Sequence, residues 1–153
     1  MHSFTNEEWN LLVRVPRWVV EAASAAELDN AQRTHTEREA GFIAVAGGRE
    51  LGSPVVRDVA QACMGIFDQT PAVSFADPEA GLSQVLEQIR EAAQLVRAKA
   101  SAEDAAAYRR WLIDVTDVVI NAARSGDKLG FGGVAVTPAE KKFRDQVVLA
   151  VQA

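Results

Sequence analysis

The stretch "FTNEEWNLLVRVPRWVVEAAS", Phe4 to Ser24, decides the fold. Thr5 can cap a helix, Glu8 three positions on completes a capping box, and Phe4 can staple onto Trp9 across the first turn. Two apolar rows then run at helical spacing. Trp9, Leu12, Val13, Val20 and Ala23 form one; Leu11, Val15, Trp18, Ala22 and Ala25 form the other. Only Asn10, Arg14, Arg17 and Glu21 are left as a narrow polar stripe. A helix apolar on two sides is packed on two sides, so this one reads as the central member of a helical bundle. Pro16 within it removes a backbone hydrogen bond and should bend it.

Outward from this helix the pattern stays helical. Asp29 to Ala46 has a charged middle, "THTEREAG", before "FIAVA", and is expected to end at Gly47 and Gly48 with glycine just past the helix C-terminus. "SP" at Ser53, "DP" at Asp77 and "TP" at Thr137 each set a capping residue before a proline at the first helical position. Val55, Val56, Val59, Met64 and Phe67 give the third helix an apolar face; Leu82, Val85, Leu86, Ile89 and Val96 give one to the fourth. In "QTPAVSFA", Val73 and Phe75 are expected to fold back over the core. Ser101 with Asp104 restarts helix, and Tyr108, Trp111, Leu112, Val115, Val118, Val119 and Ala122 follow at helical spacing. No segment keeps the period-two alternation of a strand. The reading is an all-α, single-domain bundle of about six helices over residues 1–153.

Totals agree. A chain of 153 residues, 48% apolar and 24% charged, has the composition of a globular domain with a real core. The net charge of −5 argues against a nucleic-acid binder, which needs a basic surface. Apolar runs are too short to span a bilayer, and the N-terminus is acidic where a signal peptide would be basic, so neither nucleic acid nor membrane is an expected partner and a cytoplasmic location is expected.

Candidate chemistry is sparse. One cysteine, Cys63, in the apolar "VAQACMGIF", reads as a buried structural thiol, with His35 the only conceivable distant base. In "SGDKLGFGGVAVTPAEKKF", Gly130, Gly132, Gly133 and Thr137 precede a helix start, the ingredients of a phosphate cradle. The Walker pattern is missing, however, and the residues between the glycines are apolar, which favours a connector whose glycines serve backbone geometry. Asp114, Asp117 and Asn121 stand on one stripe of the fifth helix, where oxygen ligands could take Mg²⁺ or Ca²⁺; the plainer reading is a solvated face with an Arg110–Asp114 ion pair. Trp9 and Trp111 read as core, whereas Trp18, on the second apolar row, could face a partner.

Three blocks, "FTNEEWNLLVRVP", "AAAYRRWLIDVTDVV" and "GFGGVAVTPAEKKF", resemble a family of small bacterial proteins with an F-T-x-E-E-W-x-L-L start and a G-F-G-G-V-x-V-[S/T]-x-x-E close. That resemblance implies a bacterial all-α fold and no catalytic residue. The chain is also similar, less closely, to TerB-like helical proteins, where a glycine-containing loop and V-[S/T]-x-x-E open a helix as Val136, Thr137 and Glu140 do here. Their loops usually carry acidic residues for a cation, and here Asp127 stands nearly alone. The expectation is a non-enzymatic module that contacts a protein partner or its own copies and uses no cofactor. The alternative is a small-molecule or divalent-cation-binding domain, with an enzyme third.

Overall fold

The computed structural model describes residues 3–25, 31–65, 78–125 and 138–152, with backbone alone for 25, 31–37, 78–79 and 123–125. Helices α1 (Asn6–Ala25), α2 (Ala31–Ala46), α3 (Pro54–Met64), α4 (Pro78–Lys99), α5 (Ala102–Ser125) and α6 (Pro138–Val151) form one bundle; a 3-10 turn, Gly47–Glu50, extends α2. There is no strand among the described residues. The expected all-α bundle is therefore the fold.

Helix starts follow from local chemistry. The Glu8 N–H donates to Thr5 Oγ1 (3.2 Å) and the Thr5 N–H to Glu8 Oε1 (2.9 Å), a closed capping box. Phe4 and Trp9 meet as the staple, ring centroids 6.3 Å apart. Ser53 accepts from the Val56 N–H and donates to Asp104 Oδ1 at 2.6 Å, so one hydroxyl caps α3 and ties it to the first turn of α5. Ser101 accepts from the Asp104 N–H (3.1 Å), capping α5 itself. Prolines stand at the first positions of α4 and α6 as the sequence suggests, but the capping positions Asp77 and Thr137 lie outside the described residues, as do Phe67, Val73 and Phe75.

Helix α1 touches all five other helices, which makes it the central member. Leu12, Val15, Val19, Val20 and Ala22 are fully buried in it, against Val56 and Val59 of α3, Val85, Ile89 and Val96 of α4, Leu112, Val115 and Val119 of α5, and Val147 of α6 in one continuous core. Pro16 has no N–H to give the Leu12 carbonyl a turn earlier. The hydroxyl of the fully buried Tyr108 on α5 donates to that carbonyl instead, at 3.0 Å. One residue on, the Cys63 S–H of α3 reaches the Val13 carbonyl at 3.2 Å.

Two sequence expectations need correcting, those for Met64 and Val118, and the structure adds detail to the α1 stripe and the end of α2. The polar stripe of α1 is a solvent face only at Asn10 and Arg14, because Arg17 and Glu21 are 3% and 4% exposed. Arg38 of α2 reaches Glu21 Oε1 through Nε (3.1 Å) and Nη2 (2.8 Å), and its guanidinium also lies over the Phe42 ring. This is the pairing that a buried carboxylate needs. Gly47 and Gly48 follow the end of α2 as the spacing suggests, and neither is left-handed; among the described residues the glycine with positive φ (78°) is Gly52, beyond the 3-10 turn. Met64, at the last turn of α3, and Val118 on α5 are outside the core, 36% and 41% exposed.

Candidate functional site

Among the described residues, the most closely packed helix pair, α2 with α5, carries the most exposed large apolar side chain, Ile43. α2 meets α5 antiparallel, since Gly41 faces Val119 and Gly48 faces Trp111. A Cβ on Gly41 would lie 2.6 Å from Val119 and 2.7 Å from Val20, and one on Gly48 would lie 2.7 Å from the Trp111 ring. These glycines are present for close approach, not for backbone freedom. The Trp111 indole N–H points to the Ala44 carbonyl at 3.4 Å, and its ring meets Tyr108 edge-on at 5.9 Å. With Gly41, Val45 and Gly48 buried, the opposite side of α2 is left to Glu39, Ile43 and Gly47.

On that side Ile43 is 73% exposed, and Gly47, one turn on, has open space where a side chain would be. Leu51, past the 3-10 turn, is 53% exposed. Val118 of α5, next to the Val119 that faces Gly41, is also exposed. Sequence reading missed this surface. The signal was the seven-residue spacing of Gly41 and Gly48, which fixes the inward side of α2 and so turns Ile43 and Gly47 outward.

Other candidates assemble less. The Cys63 thiol is fully buried, and loss of solvation pushes its pKa up to about 12, which keeps it a protonated donor rather than a nucleophile. Burial likewise pushes the Tyr108 hydroxyl well above its ordinary value. Only the backbone at His35 is described.

On α5, Arg144 of α6 grips the Asp117 carboxylate through Nε (2.6 Å) and Nη2 (3.4 Å), and this contact raises the pKa of the arginine. Asn121 spends its amide on the Asp117 carbonyl at 2.7 Å, and Asp114 is exposed. The ion pair on this stripe thus runs from Asp117 to α6, not from Asp114 to Arg110. No group of three or more His, Cys, Asp or Glu that could hold a metal occurs among the described residues. Gly130, Gly132, Gly133 and Thr137 lie outside the described residues.

Trp18 is half-buried and packs against the core. An open depression of about 240 Å³ has Phe4, Asn6, Trp9 and Asp58 in its lining. No helix among the described residues is long and apolar enough to cross a membrane. Comparison with models of protein families, with curated proteins and with solved structures gives no match to the chain.

Proposed function

We propose that the chain is a non-enzymatic helical module of the bacterial cytoplasm that works by contact with protein, a second copy of itself included. The observation that carries this is Ile43. It is a large aliphatic side chain 73% exposed, at the centre of the side of α2 that faces away from a tightly fitted helix pair. Ile43 stands one turn before Gly47, whose missing side chain leaves its flank open to a partner. The rigid fit beneath supports the reading, because a contact surface set on fixed helices loses little freedom when it is covered.

Native mass spectrometry of the chain, purified without added metal or chelator, tests the proposal. The expected spectrum holds only the chain, alone or in whole-number assemblies. Extra mass that stays with the folded protein and leaves on denaturation would overturn it in favour of a ligand-binding domain.

A further inference from the structure

We propose that the depression at the start of α1, with Phe4, Asn6, Trp9 and Asp58 in its lining, receives an arginine side chain of a partner protein. The inference rests on the protein-contact reading above and adds to it a second surface and the chemistry of the partner. Local structure builds the depression. The capping box of Thr5 and Glu8 turns the chain so that Phe4 meets Trp9, and the two rings stand 6.3 Å apart between centroids at 35° to one another. α3 runs beside α1 in the same direction, since Cys63 reaches the Val13 carbonyl and Asp58, earlier on α3, lies with Asn6 and Trp9. Buried Val55, Val56 and Val59 hold that stretch of α3 on the core, so the carboxylate stands on a fixed element.

Size and lining select the occupant. A volume of about 240 Å³ lies below the roughly 300–1,000 Å³ of small-molecule pockets and suits a single long side chain. Aromatic rings attract a guanidinium within about 6 Å of their centroids, and rings this close let one cation reach both. The Asp58 carboxylate accepts the planar N–H fork of an arginine, and the Asn6 amide oxygen can accept a further N–H. The chain already uses this combination internally. The Arg38 guanidinium lies over the Phe42 ring at 5.5 Å while Nε and Nη2 donate to the Glu21 carboxylate.

Charge agrees. The net charge of −5 attracts a basic partner, and Glu7 in the first turn offsets the positive end of α1. Arg57 is the internal competitor, with Nε 3.2 Å from Asp58 Oδ1. Both side chains of that pair are well exposed, so exchanging it for a partner's guanidinium costs little.

An NMR titration of the labelled full chain is the test, with Nα-acetyl-arginine amide as the probe and the uncharged Nα-acetyl-citrulline amide beside it. The arginine probe should shift the Trp9 indole N–H and the Asp58 amide saturably, with a dissociation constant of about 1–10 mM, and the citrulline probe should bind at least about tenfold more weakly. Asp58→Asn should weaken the arginine probe at least about fivefold, and Arg57→Ala should strengthen it. Both substitutions lie outside the core, so the variants should melt with the wild type. Equal binding of the two probes overturns the inference, as does a response that ignores Asp58→Asn, or none up to about 50 mM. Tighter binding of free arginine than of its capped amide also overturns it, by making the site one for a small molecule. The first three results leave the protein-contact reading standing, because that reading falls on retained ligand mass.

Discussion

Gly47 and Gly48 are neighbours in one 3-10 turn, and replacing each by alanine should move stability in opposite directions. At Gly48 the new methyl would sit 2.7 Å from Trp111 Cε2 and 2.8 Å from Cζ2 and Nε1. Ordinary carbon contacts lie near 3.5–4.0 Å, so ring or backbone must give by roughly 1 Å. The ring is poorly placed to yield. It is 2% exposed, and it lies edge-on to Tyr108, whose hydroxyl is committed to the Leu12 carbonyl.

Overpacking of this kind costs about 1–3 kcal/mol, against about 0.4–1 kcal/mol returned by the stiffer unfolded chain. Gly47→Ala meets open space at negative φ and keeps only the gain. The gain is common to both variants, so they should differ by the overpacking cost, about 1–3 kcal/mol, or roughly 2–12 °C in melting temperature for a chain of this size. Thermal unfolding followed by circular dichroism, with urea titration beside it, measures the gap. Equal stability of the two variants would refute the claim that Gly48 is held by close approach to Trp111.

Three further outcomes follow from named contacts. Tyr108→Phe strands the Leu12 carbonyl and should cost about 1–3 kcal/mol in urea unfolding; adding Pro16→Ala, which restores an N–H one turn on, should recover part of the loss, so a strictly additive pair would contradict the pairing. Glu8 is held at about 2, below its ordinary 4.5, first by its bond from Lys99 and then by the Thr5 N–H. A lowered carboxyl pKa stabilises the fold above the ordinary value and loses that effect as pH falls. The deficit of Glu8→Gln should therefore be full near neutrality, shrink below about 4.5 and vanish near 2, and a constant deficit in a pH series of urea midpoints would count against it. Cys63 should resist iodoacetamide at pH 8 in the native protein and react in step with unfolding in urea; fast native labelling would mean that the α1–α3 contact is open.

What was legible in the sequence depended on which residues carry the signal. Thr5, Glu8, Ser53 and Ser101 act within one turn of chain, so their chemistry can be read without knowing the neighbours, and their hydrogen bonds form as the spacing suggests. α2 was harder because its principal contact is made by what Gly41 and Gly48 lack, and apolar periodicity does not register an absent side chain. The spacing marks Arg17 and Glu21 only as part of a polar stripe, because Arg38 lies 17 positions from Glu21 and only the tertiary fold joins them. The Ile43 surface was hidden for the converse reason. Within "FIAVA" every residue is apolar, and only the angular position set by the two glycines distinguishes the one that faces out.

The bond between Tyr108 and Leu12 also sets an order of events during synthesis. Donor and acceptor are 96 positions apart, and a ribosome adding about 5–20 residues per second needs several seconds to cover that distance. Throughout that interval the Leu12 carbonyl has neither an N–H from Pro16 nor the Tyr108 hydroxyl. α1 is thus synthesised before α5 yet completed only after it, and a nascent or truncated chain that ends before α5 carries its central helix without this bond.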